Sequence, residues 1–303
     1  MEDKLNIWVA QTPGYKLLDS GNKKKLEEVS GIRIVRSEPR AWWKSKLSQE
    51  EWNKAEALFE HEKGNWMFSA KGGSAHPEGG KNFDGKDLDF EFKDLKVKIK
   101  FPATSKHIGI FPEQASQWNF IEKKCGHGVS TGREVKVLNL FGYTGISSLV
   151  AAKAGASVTH VDGSRTVIGW ARENQEASGL NDKPIRWILD DVGDFVKREI
   201  KRGNKYDAII MDPPSFGRGP QGQVWKVEEQ LVELLKICRE AMSDKPLFLI
   251  LNMYSTELSS ITLKNLLEDL FKDGEVIAGE LALKEENSER LLPLSIFANW
   301  SDK

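Results

Sequence analysis

The stretch Asn139-Leu140-Phe141-Gly142-Tyr143-Thr144-Gly145 decides the fold of this chain. It closes an apolar run at 135–141 that has the length and composition of a buried strand, and an amphipathic pattern at about 145–154 predicts a helix directly after it. Gly142 and Gly145 allow a tight turn and a close approach of the backbone to a ligand, and the start of the helix supplies unpaired amides. The stretch therefore predicts the first strand–turn–helix unit of a parallel sheet.

The same alternation of strand and helix patterns continues to the end of the chain. Strands are predicted at 135–141, 157–162, 185–190, 206–212, 246–252, 275–283 and about 294–300. Helices are predicted between them, at about 145–154, 164–178, 191–202, 225–242 and 258–271. The last two strands have only a polar stretch between them, so they should pair antiparallel. We predict an α/β fold, a Rossmann-like sheet of seven strands whose last strand is antiparallel.

The first part of the chain has a different pattern, which predicts a smaller, β-rich N-terminal domain. Strand patterns occur at 32–36, 66–68, 88–92 and 97–101. The capping-box sequence Ser48–Glu51 predicts a helix that runs to about Glu60. A further helix is predicted from about Ser116 to Cys125, before a polar, glycine-rich break at 126–134. We predict two domains, 1–105 with a substrate-binding role and 106–303 with the parallel sheet.

Composition places the chain among globular proteins and excludes several classes. It has 303 residues, of which 39% are hydrophobic and 29% are charged, and its net charge is −1. The sequence has no apolar run long enough for a membrane helix. No apolar stretch follows the charged N-terminus, so we do not expect a signal peptide. Cys125 and Cys238 are far apart and have no metal-like spacing, which favours a reducing cytoplasm and no metal site. The charge does not by itself indicate a nucleic-acid partner, and the sequence does not define an oligomeric state.

Three further acidic segments end predicted strands, at the edge of the sheet where open α/β folds bind ligands. Asp162 lies twenty positions after Gly142, where an acid can accept both ribose hydroxyls. Asp190 and Asp191 end the next strand; we favour Asp191 for an adenine amine, while the other carboxylate caps the following helix. Position 140 is Leu rather than the first glycine of a dinucleotide fingerprint, so a nicotinamide site is disfavoured.

The segment Asp212-Pro213-Pro214-Ser215-Phe216 is the most specific of the four. A diproline fixes an extended turn and removes two amide donors, so carbonyl groups and the Asp212 side chain can face a ligand. Phe216 can stack on a flat substrate. A glycine turn, a ribose-binding acid, a base-binding acid and a rigid proline turn together predict a site for S-adenosylmethionine.

From Lys106 onward the chain resembles the class I S-adenosylmethionine-dependent methyltransferases, and more narrowly the bacterial large-subunit ribosomal RNA base methyltransferases. The motifs that carry the resemblance are Val137–Gly145, Asp162, Asp190–Val192 and Asp212–Phe216. The segment Gly109–Ala115 is similar to the Gly-x-Phe-x-Asp-Gln-Arg segment of that group, with Glu in place of Asp and no arginine. The predicted cofactor-binding residues are Phe111, Gln114, Asn139, Phe141, Gly142, Tyr143, Gly145, Asp162, Asp191 and Asp212.

The same resemblance implies a ribosomal RNA acceptor. The absence of a suitably placed cysteine limits which atom of a base can accept the methyl group. Methylation at carbon 5 of a pyrimidine needs an attacking cysteine, which relatives with that activity carry after the fifth strand; here Leu251–Ser255 contains none. We therefore predict a nitrogen acceptor, with an oxygen acceptor still open. The predicted catalytic residues are Asp212, Pro213, Pro214 and Asn252, and the predicted substrate-binding residues are Phe216, Arg218, Trp225 and Lys226.

Three alternatives remain open at this point. The loop 217–222, predicted to be flexible, is either a substrate contact or a solvated lid over the cofactor. The acceptor is either RNA, or else a protein or a small metabolite. The near-neutral charge favours the protein or metabolite acceptor. A non-catalytic cofactor-binding protein is a third reading, and the intact glycines, acids and diproline argue against it.

Overall fold

A computed structural model describes residues 6–60, 64–69, 83–254 and 257–302. The chain forms two compact units. The larger unit consists of the described parts of Met1–Trp8, Ser116–Leu281 and Ser295–Lys303, and the smaller unit of the described parts of Val9–Ala115 and Ala282–Leu294. The division into domains at residues 105 and 106 remains a proposal beside these two units.

The first part of the chain contains eight strands and one short helix in its described residues. They are β1 (Asn6–Ala10), β2 (Tyr15–Gly21), β3 (Lys24–Val29), β4 (Ile32–Ser37), α1 (Gln49–Asn53), β5 (Ala57–Glu60), β6 (Asn65–Phe68), β7 (Leu88–Phe92) and β8 (Leu95–Ile99). In the smaller unit, β2 to β6 form one five-stranded sheet in chain order, and β7 pairs with β8.

The helix α1 is shorter than predicted, because it ends at Asn53 instead of about Glu60. Its capping box is present, since the Ser48 side chain accepts a hydrogen bond from the Glu51 amide. The residues that follow become β5, which pairs with β4 and β6 and buries alternate side chains. Pairing with neighbouring strands outweighs the local helix preference here.

An ion-paired cluster is buried within the smaller unit. Glu27 accepts hydrogen bonds from Arg36 at 2.7 and 2.6 Å and from the Tyr15 hydroxyl at 2.6 Å. Burial opposes ionisation of Glu27, but Arg36 and Lys25 outweigh it and lower the pKa of Glu27 to about 2. The carboxylate is therefore charged and paired, as a buried charge must be.

The rest of the chain alternates strands and helices as predicted. It contains α2 (Ala115–Ser130), β9 (Lys136–Leu140), α3 (Ile146–Lys153), β10 (Ser157–Asp162), α4 (Arg165–Ala177), β11 (Ile185–Leu189), α5 (Val192–Lys201), β12 (Ala208–Met211), β13 (Phe216–Arg218), β14 (Val224–Lys226), α6 (Val227–Ala241), β15 (Phe248–Met253), α7 (Ser260–Leu270), β16 (Glu275–Lys284) and β17 (Leu291–Ser301). A short 3₁₀ turn, Pro112–Gln114, precedes α2.

The large sheet has the order β1-β16-β17-β15-β12-β9-β10-β11. The pairs from β15 through β12, β9 and β10 to β11 are parallel, and β17 runs antiparallel to β15. These pairings confirm the predicted α/β fold, including the antiparallel last strand. Because β9 lies at the centre, between β10 and β12, the turn that follows it stands between the ends of its two neighbours.

The sheet has eight strands where seven were predicted, because β1 adds to its edge beside β16. Gly279 in β16 permits this approach, since a Cβ there would overlap the backbone carbonyl of Asn6. The Asn6 side chain also donates a hydrogen bond to the Ala278 carbonyl at 3.1 Å. A five-residue edge strand at the start of a chain carries little local signal, and its partner is about 270 residues away.

The helix α2 is longer than predicted, since it continues through Gly126 and Gly128 to Ser130. It stops where the Ser130 and Thr131 hydroxyls donate to carbonyls of the last turn at 2.8 and 2.7 Å. A Cβ at Gly128 would lie 2.8 Å from Val135 Cγ2, so this glycine lets the helix pack closely on its neighbours. Among the described residues, the helices are too short or too polar to span a bilayer.

Candidate active site

The glycine turn after β9 has an unusual backbone. Phe141, Tyr143 and Gly145 all have positive φ angles, of 55°, 50° and 85°. Two of them are not glycines, and such conformations are sparse for residues with a side chain. Strained backbone of this kind concentrates at ligand-binding turns. The helix α3 begins directly after Gly145 and has no side-chain cap, so its first amides are available to a ligand.

Asp162 holds the glycine turn from the neighbouring strand. One oxygen, Oδ2, accepts a hydrogen bond from the Tyr143 amide at 3.0 Å, and the other, Oδ1, accepts one from the Ser164 amide at 2.8 Å. Burial raises the pKa of Asp162, and the two amides act against that rise. A carboxylate has about four lone-pair positions, so both oxygens keep acceptor capacity for the ribose hydroxyls that Asp162 is predicted to bind.

A buried polar column lies beneath the turn. A Cβ at Gly142 would overlap the imidazole of His160, so the turn and the ring are in close contact. His160 Nδ1 is 3.0 Å from the Ser148 hydroxyl, which accepts a hydrogen bond from the Asn139 side chain at 2.9 Å. Burial lowers the pKa of His160 to about 3, so the ring is neutral. Asn139 is thus linked to the glycine turn through Ser148 and His160.

Three of the residues that support the turn were not found from the sequence. They are Ser148, His160 and Asn174, and the Asn174 side chain donates to the Thr144 carbonyl at 2.9 Å. All three are fully buried polar residues. A histidine inside the apolar strand Ser157–Asp162 was the available signal. A buried polar group needs a partner, and here the partners lie in or near the turn.

The two acids after β11 have separate roles. Asp191 is the N-cap of α5, and its Oδ1 accepts from the Asp194 amide at 3.0 Å. Asp190 forms an ion pair with Arg198 and accepts from the Asp191 amide at 2.9 Å. Within the described residues, the second oxygen of Asp191 makes no hydrogen bond. The adenine contact of Asp191 stays a prediction. The helix cap, which was expected from Asp190, is instead provided by Asp191 itself.

The diproline turn is tied to the glycine turn by one tryptophan. Trp225 donates from Nε1 to the Pro214 carbonyl at 2.7 Å, and its ring centroid lies 5.0 Å from that of Phe141. It is only 8% exposed and belongs to the apolar core of the larger unit. Trp225 therefore bonds to the backbone of the diproline turn and packs against a side chain of the glycine turn; its predicted contact with a substrate remains a prediction.

The loop 217–222 lies within a hairpin of β13 and β14, and its predicted flexibility stays a prediction. Phe216 pairs with Lys226 and Arg218 with Val224 across the two strands. Phe216 is 55% exposed, and the Lys226 ammonium is 2.8 Å from Glu229. A Cβ at Gly163 would lie 3.3 Å from the Arg218 carbonyl, which places the hairpin beside Asp162. Phe216, Arg218 and Lys226 thus stand near the cofactor turns, and substrate binding by them remains a prediction.

Asn252, predicted to be catalytic, has both amide atoms engaged by one partner. Its Oδ1 accepts from Gln117 Nε2 at 2.6 Å, and its Nδ2 donates to Gln117 Oε1 at 2.7 Å. The side chain is 2% exposed. A direct contact between Asn252 and an acceptor would require this amide pair to open. Its catalytic role stays a prediction, as do those of Asp212, Pro213 and Pro214.

Phe111 and Gln114 belong to the smaller unit, near its boundary in the chain. Gln114 ends the short 3₁₀ turn and is 9% exposed, and the Phe111 ring centroid is 5.3 Å from that of His107. Burial, aided by the charges of Arg36, Lys106 and Lys25, lowers the pKa of His107 to about 4. The location of Phe111 and Gln114 does not test their predicted contacts with the cofactor, which stay predictions.

Neither cysteine of the chain has the properties of a nucleophile. Cys238 is fully buried, as predicted, with its sulfur 3.6 Å from that of Met211. Burial raises the pKa of the Cys238 thiol, and burial together with Asp207 raises that of Cys125 to about 12. Since the thiolate is the reactive form, neither side chain can attack a base. In the described residues, no cluster of three or more His, Cys, Asp or Glu side chains has the geometry to hold a metal ion.

The sheet order and the ligand-binding edge define a class I methyltransferase fold, and comparison with known proteins agrees. No model of a protein family matches the chain. The ribosomal RNA large subunit methyltransferase I of Aeromonas salmonicida is 36% identical over 105 residues, 34% of this chain and 24% of that protein. The ribosomal RNA large subunit methyltransferase K/L of Shewanella frigidimarina is 40% identical over 101 residues, 33% of this chain and 14% of that protein. These matches span a quarter or less of the length of the curated relatives.

Two solved structures match almost the whole chain. The SAM (S-adenosylmethionine) dependent methyltransferase from Agrobacterium tumefaciens is 38% identical, with a TM-score of 0.90, and the match covers 98% of this chain and 94% of that one. SMU.776, a structure complexed with SAH (S-adenosylhomocysteine), is 18% identical with a TM-score of 0.70, over 95% of this chain and 75% of that one, and resembles it in fold. The chain belongs to the SAM-dependent methyltransferases, and S-adenosylmethionine is the cofactor of that family.

Proposed function

We propose that this protein transfers a methyl group from S-adenosylmethionine to a nitrogen of a base in ribosomal RNA. The observation that carries the proposal is the hairpin beside the glycine and diproline turns, with Phe216 exposed at 55% and with Arg218 and Lys226 on the same two strands. An aromatic ring and two cations suit a base and its phosphates. The names of the curated relatives favour the same acceptor.

The residues at the sheet edge fit the cofactor in number and in kind. Asp162 retains acceptor capacity for ribose, and Asp191 retains one carboxylate oxygen for the adenine amine. The uncapped start of α3 offers amide donors to the methionyl carboxylate. When bound, S-adenosylmethionine supplies an electrophilic methyl group. The diproline turn, held by Trp225, orients the acceptor nitrogen, because direct displacement requires alignment and a dry site.

A nitrogen acceptor is favoured over pyrimidine carbon 5 because the latter needs a thiolate. Both cysteines are buried, and burial raises the pKa of each thiol. A ring nitrogen or an amine, by contrast, carries its own lone pair. The Asp212 carboxylate, in the turn after β12, is the group we assign to orienting that nitrogen.

To test this, the protein is incubated with S-adenosylmethionine that carries a tritium-labelled methyl group. Parallel reactions contain protein-free ribosomal RNA, a protein fraction or a metabolite fraction as the acceptor. We expect label in RNA, and mass spectrometry of the nucleosides should place it on a base nitrogen. Asp162→Ala should abolish transfer through lost cofactor binding, and Cys238→Ser, the matched control in the core, should retain it. Label in protein or metabolites alone would establish the alternative acceptor, and cofactor binding without any transfer would indicate a non-catalytic protein.

A further inference from the structure

The smaller unit displays one tryptophan to solvent in a way that requires explanation. Trp42 is 81% exposed, which is the highest exposed fraction of any large hydrophobic side chain in the described residues. It lies in the segment Arg40–Lys46, in which exposed and less exposed residues alternate from Trp42 to Lys46. Trp42, Lys44 and Lys46 are the exposed members of that alternation. A single exposed apolar residue is ordinary on a protein surface, but Trp42 differs in how its backbone is held and in the charged residues close to it in the chain.

The backbone on both sides of Trp42 is fixed to the turn between β2 and β3. The Lys23 amide donates to the Ala41 carbonyl at 2.7 Å, and the Asn22 amide donates to the Trp43 carbonyl at 2.6 Å. Gly21 permits this contact, since a Cβ there would overlap the backbone of Ser45. The exposed ring therefore projects from a rigid support, which reduces the entropy that a partner must overcome to order it.

The neighbouring tryptophan serves as the anchor of the segment. Trp43 donates from Nε1 to the Ser20 carbonyl at 3.0 Å, and the Arg290 guanidinium lies 5.5 Å from the centre of its ring. Arg290 also donates to the Ser20 carbonyl at 3.0 Å and pairs with Glu285 at 3.3 Å. One tryptophan of the pair is thus used for packing, and the other is left for a partner.

Four lysines accompany Trp42, and together these five residues are called the Trp42 platform: Lys23, Lys24, Trp42, Lys44 and Lys46. The Lys23 ammonium is 6.0 Å from the centre of the Trp42 ring. All four lysines are exposed. In the part of the chain that the structure describes, they form no ion pair with a carboxylate. An exposed aromatic ring with one lysine beside it, and with three more exposed lysines close by in the chain, is a combination that suits single-stranded nucleic acid.

We propose that the Trp42 platform binds single-stranded RNA, with a base stacked on Trp42 and the adjacent phosphates bound by the lysines. This deepens the proposed function, since it rests on an RNA acceptor and assigns to the smaller unit a contact with that acceptor. An acidic protein would use the charges equally well, but it has less use for a rigid, exposed ring. A base has a π-face that stacks on tryptophan whatever its sequence.

The test measures the binding of a short fluorescent single-stranded RNA to the full-length protein by anisotropy, at low and at high salt. Trp42→Ala should weaken binding by about fivefold to a hundredfold, the range for loss of one stacked base. Trp42→Phe should restore most of the affinity. Lys44→Gln should lower the slope of log affinity against log salt by about 0.7, as expected for one lost phosphate contact to a single strand.

Matched controls separate a specific effect from a general one. Ile261→Ala removes an apolar side chain that is 64% exposed on α7 and should leave RNA affinity unchanged. Duplex RNA of the same length should bind independently of Trp42, since its bases are already stacked. Equal affinity of wild type and Trp42→Ala for the single strand, with both proteins folded by thermal melting, would overturn the inference. So would an equal loss for duplex RNA, or binding of polyglutamate that depends on Trp42.

This inference and the proposed function fail in different ways. Methyl transfer to RNA by a Trp42→Ala protein with unchanged RNA affinity would overturn the platform alone. Binding of single-stranded RNA through Trp42, without transfer of label to any RNA, would overturn the proposed function and leave the platform standing.

Discussion

At the scale of single residues, the neutral imidazole of His160 supports the glycine turn after β9. It contacts Gly142 and lies 3.0 Å from the Ser148 hydroxyl, and its ring centroid is 4.7 Å from that of Trp187. A charged imidazolium would be costly in this position, which is why burial lowers its pKa to about 3.

The stability of the protein should therefore fall as the pH falls below 6.5. Between pH 6.5 and about 3 the unfolded chain binds a proton at His160 and the folded chain does not, so unfolding is favoured as the pH decreases. From pH 7 to pH 5 this residue should cost about 2 kcal/mol of unfolding free energy. Denaturant unfolding of wild type and His160→Gln at both pH values should show that the variant lacks this part of the loss. An identical pH dependence in the two proteins would show that the pKa of His160 is the same in the folded and the unfolded chain.

At the scale of elements, two glycines of the helix α2 differ in the space that is available for a side chain. Gly126 has open space where a Cβ would be, while a Cβ at Gly128 would lie 2.8 Å from Val135 and 3.0 Å from Leu247. Val135 is buried and β-branched, so it has little freedom to move aside. The close approach of this helix to its neighbours therefore depends on one glycine of the two.

Alanine at these two positions should have opposite effects on stability. Gly126→Ala should stabilise the protein by about 0.5–1 kcal/mol, because alanine favours the helix. Gly128→Ala should destabilise it, because overpacking costs about 1–3 kcal/mol and exceeds that gain. Thermal or urea unfolding of the two variants beside wild type measures both signs. Stabilisation by both substitutions would mean that Val135 and Leu247 can make room.

At the scale of the whole molecule, the parallel sheet collects four distant segments along one edge. The turns after β9 and β12 and the acids after β10 and β11 are brought together because β9 to β12 are parallel neighbours. The hairpin of β13 and β14 extends from the diproline turn towards Asp162. A ligand at this edge should therefore affect several separate segments and leave the opposite edge unchanged.

Hydrogen exchange with and without S-adenosylhomocysteine should show this pattern across the chain. Amides at 141–146, 162–164, 190–194 and 212–216 should exchange up to about a hundredfold more slowly when the ligand is at a hundred times its Kd, because the ligand must leave before they open. The segment 202–206, before β12, serves as the internal control. Protection at 109–115 would support the cofactor contacts predicted for Phe111 and Gln114. Protection restricted to segments outside these five would place the cofactor elsewhere.

Much of the larger unit could be predicted from the sequence, because its signals are local. Apolar strand runs, amphipathic helices and turn residues each lie within a short window, and the seven predicted strands are all present. The largest error in their ends is at β17, which begins at Leu291 instead of at about 294. The order of the four site segments follows from the same local signals, because a parallel sheet places successive strand ends on one edge.

Tertiary structure alone decided the features that depend on contacts between distant residues. The pairing of Asn252 with Gln117 joins positions 135 residues apart, and β1 pairs at the edge of a sheet formed mainly by the other end of the chain. The position of Trp225 under both turns and the length of α2 also depend on packing. A side chain's partners in space are set by the whole fold. Local sequence therefore determined the order of the four predicted site segments, and only the folded chain determined which residues hold those segments in place.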